Sequence, residues 1–408
     1  MSKVEAVLPA DGSIGQLFCA LASMPSPSGR ERAVAEAIAA WLADVGVDSR
    51  FDEAGAVNGS DSGNLLATVP GDPAAPTLLF VAHLDTVESG TEPIVPVCGE
   101  DGVIRSAGDT ILGADNKSAV AALMRTCRSA VAMPAAGRPT VIAAFTCREE
   151  SGRMGAGLLA LDGLGVDCAF SVDGSRPIGT VITKALGQQV FTLEIRGRAA
   201  HAAADPEAGL SAIAVAGEIV AAMPLGRQPG GGSASIAAIA GGGVIDRLRQ
   251  PADGADGEAI VRAALEATPT NSIPDLALMR GELRGYGAGD LARTRAELQA
   301  VVRRVCDARG ASYEWHDRER AVPPFPGTPD SRALALAREA AERVDRVTFT
   351  TTEARATLEA NYLAAATDVV ALASGGSDPH STTESITVSE LEQLEALLTQ
   401  IVELARVG

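Results

Sequence analysis

The spacing of apolar residues along this chain predicts two kinds of element. Unbroken apolar runs that end in polar residues predict strands buried on both faces, as in a parallel sheet, and they cover residues 77–82, 140–147 and 166–172. Apolar residues three and four positions apart predict amphipathic helices over residues 31–45 and 117–131. Strands and helices that alternate in this way predict a doubly wound α/β domain with a mostly parallel sheet.

Two helix starts carry the Ser-x-x-Glu pattern of a capping box, in which the serine and glutamate side chains bond each other's backbone amides. Ser28 and Glu31 would start the first of these helices, and Ser389 and Glu392 would start the last helix of the chain. We therefore expect both serines to act as N-caps.

The apolar pattern changes to strict alternation near residue 188. Phe191, Leu193 and Ile195 occupy one face of a predicted half-exposed antiparallel strand. The proline-rich stretch 322–329 is typical of a linker. We therefore predict a first domain formed by residues 1–187 and 322–408, into which a smaller α+β domain, residues 188–321, is inserted. The acidic, glycine-rich stretch 246–258 of the inserted domain is expected to be a surface excursion.

Charge and cysteine content narrow the class of protein. The 408-residue chain has a formal net charge of −18, which argues against nucleic acid or an anionic membrane as a partner. Its six cysteines form no C-x-x-C pair, a pattern that suits a reducing cytosol better than a disulfide framework. No signal peptide or membrane-spanning stretch is recognisable. We therefore expect a cytoplasmic protein.

Polar residues follow the predicted strands at their carboxyl ends, where parallel sheets bind their ligands. Taken singly, each has an ordinary explanation as a buried histidine, a helix cap or a solvated turn. Their convergence at one edge, in a chain with only four histidines, instead predicts a ligand set for two metal ions such as zinc, cobalt or manganese. The residues are His83, Asp85, Asp115, Glu149, Glu150 and Asp173, with His380 in a later glycine-rich loop.

Two pairs of neighbouring residues indicate roles within such a site. His83 and Asp85 are two positions apart on a strand and face the same way, so Asp85 can accept the second ring N–H of His83. Glu149 and Glu150 are adjacent and cannot both face one metal, which leaves the other to act as a general base.

Together these motifs resemble the di-zinc exopeptidase and amidohydrolase family that includes peptidase T, carboxypeptidase G and the acetylornithine and succinyl-diaminopimelate deacylases. The resemblance covers nearly the whole chain and is strongest to the peptidase T branch. It is carried by residues 25–31, 82–87, 113–117, 149–156, 172–174, 197–201 and 271–275, and by Arg284.

The resemblance implies a metal site built from five ligands. His83 and Asp173 would hold one divalent ion, and Glu150 and His380 the other, with Asp115 bridging the two. The ions would be zinc, with cobalt or manganese as alternatives. Glu149 would be the general base for a metal-bound hydroxide that attacks an amide carbonyl, and Asp85 would orient His83.

The resemblance also implies roles for the inserted domain, which in this family serves as a lid and as the dimerisation domain. His201 would reach the active site of the partner subunit of a homodimer and polarise the scissile carbonyl. Asn271 and Arg284 would bind the substrate, Arg284 through a carboxylate, which suits the guanidinium fork.

One stretch departs from the family pattern. There, a Gly-Gly-Ser/Thr-Asp loop is separated from the metal-binding histidine by a strand and a glycine-rich substrate loop. Here, residues 375–378 have that pattern and run directly into Pro379 and His380. We therefore expect a reshaped or more open pocket, or an altered second metal site.

Three functions follow from these observations. The leading hypothesis is a metal-dependent exopeptidase that acts on short peptides, like a tripeptide aminopeptidase. A second is an amidohydrolase that removes the acyl group from an N-acyl amino acid. The third is a non-catalytic peptide or metabolite binder that lost turnover with the shortened loop, although a pure binder would not need Glu149 as a base.

Overall fold

The apolar runs form strands in the structure, a computed structural model that describes residues 8–9, 11–88, 93–152, 155–248, 257–317 and 321–407. The chain divides into two units, one formed by Met1–Ala185 with Phe325–Gly408 and the other by Leu186–Pro324. These limits lie a few residues from the predicted ones. Among the helices of the described residues, none combines the length and the apolar character needed to cross a membrane.

The strands are numbered here in chain order. They are β1 (Asp48–Phe51), β2 (Leu65–Val69), β3 (Thr77–His83), β4 (Pro96–Cys98), β5 (Val103–Ser106), β6 (Thr140–Thr146), β7 (Cys168–Val172), β8 (Thr180–Ala185), β9 (Gly187–Arg196), β10 (Ala200–His201), β11 (Gly226–Arg227), β12 (Ser233–Gly241), β13 (Ser272–Ile273), β14 (Leu276–Gly285), β15 (Ser312–Asp317), β16 (Thr350–Ala354), β17 (Asp368–Leu372) and β18 (Ser385–Thr387).

The helices follow the same numbering. They are α1 (Ile14–Ala22), α2 (Arg32–Asp44), α3 (Ala54–Asn58), α4 (Ala114–Ala132), α5 (Ala212–Ala222), α6 (Gly243–Leu248), α7 (Gly257–Glu266), α8 (Ala288–Arg309), α9 (Arg332–Arg343), α10 (Ala360–Leu363) and α11 (Val388–Leu404). Two short 3₁₀ turns cover Ala156–Leu158 and Pro206–Ala208.

The larger unit is built on one sheet with the strand order β1-β2-β6-β3-β7-β17-β8-β16. Its central strands β6, β3, β7 and β17 are parallel to one another. A smaller antiparallel sheet has the order β18-β5-β4. The predicted α/β fold with a mostly parallel sheet is confirmed.

Strand β3 shows why the apolar runs are unbroken. Leu78, Phe80 and Ala82 face one hydrophobic core, which contains the buried faces of α1, α2, α4, α9 and α11. Leu79 and Val81 face a second core, which contains α10. Because both faces of the strand are covered, every position is apolar until His83 at its end.

The smaller unit contains an antiparallel sheet with the order β11-β12-β14-β9-β15. Phe191, Leu193 and Ile195 of β9 are buried in its core, as the alternating pattern predicted, together with apolar residues of α5 and α8. The inserted stretch 246–258 lies mostly outside the described residues, between α6 and α7.

Both predicted capping boxes are wrong. Helix α2 starts after Glu31, whose side chain makes no cap hydrogen bond, and the Ser28 hydroxyl donates instead to the carboxylate of Asp85. Helix α11 is capped two residues earlier than predicted, by Thr387 and Glu390. In the first case the serine hydroxyl forms a stronger hydrogen bond by donating to a buried carboxylate than it would by accepting a backbone N–H group.

Residues 375–378 run into His380 without an intervening strand, as the sequence indicates, but two strands upstream of them were not predicted. β17 precedes the Gly375–Gly376 turn, and a loop with α10 connects it to β16. The sequence reasoning missed both strands, because β16 is rich in threonine and β17 is short. The prediction of a reshaped pocket or an altered second metal site stays a prediction.

The observed cap of α11 gives a test of stability. Thr387 Oγ1 accepts the backbone N–H of Glu390 at 3.0 Å, and Glu390 Oε2 accepts the backbone N–H of Thr387 at 2.8 Å. We expect Thr387→Ala to lower the free energy of unfolding by about 1 kcal/mol, measured by urea denaturation followed by circular dichroism. Ser389→Ala, at the cap that was wrongly predicted, is the control and should change it by less than about 0.5 kcal/mol. Equal effects of the two substitutions would contradict this assignment.

Candidate active site

The predicted metal ligands of the larger unit meet at the carboxyl edge of its parallel strands. β3 ends at His83, β6 ends just before Glu149 and Glu150, and β7 ends just before Asp173. These strands are neighbours in the sheet, so the residues that follow them emerge side by side. Asp115 reaches the same edge from the first turn of α4.

Asp115 lies between the two histidines. Its Oδ1 is 3.1 Å from Nε2 of His83, and its Oδ2 is 3.6 Å from Nε2 of His380. On the outer sides of this arrangement, Asp173 Oδ1 is 3.8 Å from His83 Nε2, and Glu150 Oε1 is 2.9 Å from His380 Nε2. The carboxylate of Asp115 therefore turns one oxygen toward each imidazole.

This donor set fits divalent metal ions. Ligand atoms of His83, Asp115 and Glu150 all lie within 4.8 Å of one another. His83 Nδ1 is 2.9 Å from the backbone oxygen of Asp85, which can only accept a hydrogen bond, so Nδ1 carries the proton and Nε2 is the free ligand atom. Imidazole nitrogen with carboxylate oxygen is a ligand set that suits zinc, cobalt and manganese.

The charges of the site shift the pKa values of both histidines. Burial alone would lower the pKa of His83, but hydrogen bonds to Asp115, Asp173 and Asp85 outweigh it and raise that pKa well above its ordinary value. A hydrogen bond to Asp115 is the main cause that raises the pKa of His380 to about 9. In the metal-free protein, protonated imidazoles therefore balance the carboxylates.

The carboxylate of Asp85 binds mainly backbone N–H groups and has a weaker contact with His83 than predicted. Its Oδ1 is 3.5 Å from His83 Nδ1, farther than its own backbone oxygen. Its carboxylate accepts the backbone N–H groups of Glu149 at 2.9 Å and Glu150 at 3.0 Å, and the hydroxyl of Ser28. Asp85 thus connects the end of β3 to the turn after β6.

Glu149 and Glu150, the predicted base and the predicted ligand, make different contacts. Glu150 meets His380 and belongs to the group of ligand atoms around Asp115. Glu149 is only 4% exposed and lies near enough for its charge to add to the other causes that raise the pKa of His83. Both carboxyl groups thus lie near enough to His83 to interact with its charge, from consecutive positions of one turn.

Sequence reasoning missed a buried glutamate that holds the loop of Asp115. Glu384 accepts the backbone N–H groups of Leu112 and Gly113, each at 2.8 Å, and of Asp115 at 3.0 Å. It follows His380 by four positions, so it joins the loops of two predicted ligands. The only feature of the sequence that could have pointed to Glu384 is its position directly before the short strand β18.

Two further buried ionisable groups were missed near the same edge. Lys117, in the first turns of α4, donates to the backbone oxygens of Leu21 and Met24, and burial lowers its pKa to about 7. Glu359 accepts the hydroxyl of Thr146 at 2.5 Å, and burial raises its pKa to about 7. In the sequence, Lys117 could have been noticed as a lysine inside the apolar pattern of α4. Nothing in the sequence pattern points to Glu359.

The smaller unit brings His201 and Asn271 together. His201 lies on β10, which pairs with β13, and the backbone oxygen of Asn271 accepts the N–H of Ala202. The Nδ1 atom of His201 accepts the backbone N–H groups of Ala203 at 3.2 Å and Ala204 at 3.1 Å. In the neutral ring the proton is therefore on Nε2, which is exposed and can donate.

Arg284 does not lie with these two residues. It is near the far end of β14, eight positions beyond Leu276, and a strand of that length spans about 27 Å. Its Nε donates to Glu282 Oε1 at 2.8 Å, two positions earlier on the same face. Within one smaller unit, Arg284 and His201 cannot contact the same small substrate.

Comparisons with known proteins agree with the predicted family. A sequence model of the family described as Peptidase family M20/M25/M40 matches residues 79–404. Uncharacterized protein YqjE of Bacillus subtilis (strain 168) is 26% identical over 389 residues, which are 95% of this chain and 96% of that protein. Peptidase T of Desulfitobacterium hafniense (strain Y51) is 32% identical over 127 residues, 31% of this chain and 30% of that protein.

One solved structure matches over its full length. The crystal structure of aminopeptidase PepT from Bacillus cereus ATCC 10987 has a TM-score of 0.83 and 27% sequence identity, with 98% of this chain and 99% of that chain covered.

Metal binding should be coupled to proton release. A histidine must lose its proton before its nitrogen can bind a metal, and the pKa of His380 is about 9, so this residue is protonated below pH 9 in the metal-free protein. We expect the apparent affinity of the ion at His380 to rise about tenfold per pH unit between pH 7 and 9. Calorimetric titration with Zn²⁺ in buffers of different ionisation enthalpy measures the released protons.

The variant His380→Ala is the control for that titration. It should release about one proton fewer than the wild-type protein at pH 7, since His83 still titrates in both. Equal proton release in the two proteins would contradict the role of His380 as a ligand.

Proposed function

The chain belongs to peptidase family M20/M25/M40, and from this premise we propose that it hydrolyses short peptides from one end, as a tripeptide aminopeptidase does. The family and the full-length likeness to an aminopeptidase make it a hydrolytic metallopeptidase. The observation that carries the proposal is Asp115, which turns one oxygen toward each of two imidazoles at the carboxyl edge of a parallel sheet.

The residues suit two divalent ions, and we propose zinc, with cobalt or manganese as alternatives. His83 and Asp173 would hold one ion, Glu150 and His380 the other, and Asp115 both. When bound, such ions polarise the scissile carbonyl and make a water molecule acidic enough to react at neutral pH.

Glu149 would move the proton in this reaction. It takes the proton of the attacking water as a general base and returns it to the leaving amine as a general acid. Its position beside Glu150 places it next to the site without using it as a ligand. The exposed Nε2–H of His201 would donate to the carbonyl oxygen as negative charge develops there.

Asn271 and Arg284 would bind the peptide. Arg284 keeps guanidinium donors that its contact with Glu282 does not use, and these suit a substrate carboxylate. Arg284 lies near the carboxyl end of β14, whereas His201 lies on β10, whose partner strand β13 comes just before the start of β14. This separation supports the proposal that one site draws His201 from the partner subunit of a homodimer. The cytoplasmic location stays a prediction.

The two alternative functions are not favoured. The matched structure is an aminopeptidase, which argues against a deacylase of N-acyl amino acids as the leading function. The non-catalytic binder would keep the fold without turnover, whereas the family and the likeness to an aminopeptidase support a hydrolase.

The first test is hydrolysis of an unblocked tripeptide by Zn²⁺- or Co²⁺-loaded protein and by its Glu149→Gln variant. We expect turnover to fall by about 10²- to 10⁴-fold in the variant, because glutamine cannot accept the proton, while the metal content stays the same. An N-acetyl amino acid serves as the deacylase control. Turnover of the acylated substrate alone, or full activity in the variant, would refute the proposal.

A second test asks whether His201 acts across a dimer. His201→Ala and Glu149→Gln proteins should each be nearly inactive alone. A mixture allowed to exchange subunits should regain activity, because one site of each mixed dimer then has both residues intact. If His201 served its own chain, every site in the mixed dimer would lack one of the two residues, and the mixture would stay inactive.

A further inference from the structure

Glu31 is a fully buried carboxyl group at the start of α2, outside the group of predicted ligands. Its Oε1 accepts the backbone N–H groups of Gly29 at 2.7 Å and Arg148 at 3.0 Å. Its Oε2 accepts the hydroxyl of Ser60 at 2.5 Å. The side chain thus joins three loops that are distant in sequence. One of them is the loop after β6 that carries Glu149 and Glu150.

The bond to Arg148 acts on a strained position of that loop. Arg148 has a φ of 56°, in the left-handed region that a residue with a long side chain rarely adopts. Such a conformation persists only when its surroundings hold it. Here the N–H of Arg148 is held by Glu31, and its guanidinium donates to the backbone oxygen of Asn58 and the hydroxyl of Ser151.

The next two amides of the same turn are held by the other buried carboxylate. The N–H groups of Glu149 and Glu150 both donate to Asp85, so three successive amides bind two carboxylates. The two glutamate side chains leave this turn from consecutive positions and serve different tasks in the proposed function. A rotation of the turn at residue 148 would therefore misplace both of them together.

The segment before α2 is bound both to the end of β3 and to the turn after β6. The hydroxyl of Ser28 donates to Asp85, and the backbone oxygen of Ser26 accepts the N–H of Thr86 beyond the end of β3. Residues 26–31 therefore join the end of β3 to the turn that follows β6, its parallel neighbour. Glu31 makes the attachment to the second of these strand ends.

We propose that Glu31 is a positioning residue, which holds Arg148 in its left-handed conformation and so sets the directions of Glu149 and Glu150. The proposal rests on the proposed function, in which Glu149 is the base and Glu150 a ligand. Glu31 acts as an acceptor of hydrogen bonds, and its negative charge is not required.

Two substitutions distinguish the role of Glu31 as a hydrogen-bond acceptor from the effect of its negative charge. Glu31→Ala removes all three bonds. Glu31→Gln keeps an oxygen that accepts both amides, and its NH₂ group can donate to the Ser60 hydroxyl. We expect Glu31→Ala to weaken binding of the second of two Co²⁺ ions by about 10- to 100-fold, and to lower kcat for a tripeptide by a similar factor with less effect on KM. Glu31→Gln should stay close to wild type in both.

Titration of the metal-free proteins with Co²⁺, followed by visible absorption, gives a readout that does not depend on activity. Glu36→Ala is the matched control, because this glutamate lies on the same helix with its side chain 63% exposed. Ser60→Ala removes one bond of Glu31 and leaves the amide of Arg148 bound. Both should bind the two ions like the wild-type protein.

Glu31→Asp covers the case in which Glu31→Ala does not fold. It keeps the charge, but its shorter side chain cannot reach Arg148, so it should be impaired in the same way as the alanine variant. Wild-type binding of the second ion by Glu31→Asp or Glu31→Ala, or an equal defect in Glu31→Gln, would overturn the proposal. A wild-type protein that binds two ions but cleaves no peptide would refute the proposed function, and the titration would still test Glu31.

Discussion

The close burial of many carboxyl groups is the constraint on which this edge of the sheet depends. Like charges at short distance repel, and burial removes the water that would screen them. Five of these carboxylates have partners of two main kinds. Asp115 and Glu150 face imidazoles, whereas Asp85, Glu31 and Glu384 accept backbone N–H groups. The first kind forms the metal-binding group, and the second kind holds the loops that carry it.

This division explains how the site keeps its shape when its charge changes. Protons on His83 and His380 balance the carboxylates in the metal-free protein, and divalent ions would replace those protons with charge of the same sign. Glu31 and Glu384 bind amides and are not among the predicted ligands, whereas Asp85 also lies 3.5 Å from His83 Nδ1. The loops of Asp115 and Glu150 are held in the metal-free protein by bonds to Glu384 and Asp85, so we expect little reorganisation when a metal binds.

Much of the fold and the candidate ligands could be predicted from the sequence, because the relevant patterns are local. An apolar run with polar residues at its end predicts both a buried strand and the place where ligands emerge, and β3 with His83 shows this directly. The alternation in β9 likewise predicted a half-exposed sheet in a second unit. The β16 and β17 strands were missed, because neither pattern is strong in short segments such as Asp368–Leu372.

The wrong prediction at Ser28 and the missed role of Glu384 share one physical cause. Ser28 and Glu31 have the spacing of a capping box, yet both side chains bind groups more than twenty residues away. A local motif predicts its local bond only while no stronger partner is available, and folding brings the buried carboxylate of Asp85 to Ser28. Such residues resemble ordinary caps in the sequence because their partners exist only after the sheet has formed. The same holds for Glu384, whose three amide donors lie about 270 residues earlier. Polar residues that hold the loops of a site through distant backbone groups are therefore the hardest part of the site to predict from the sequence.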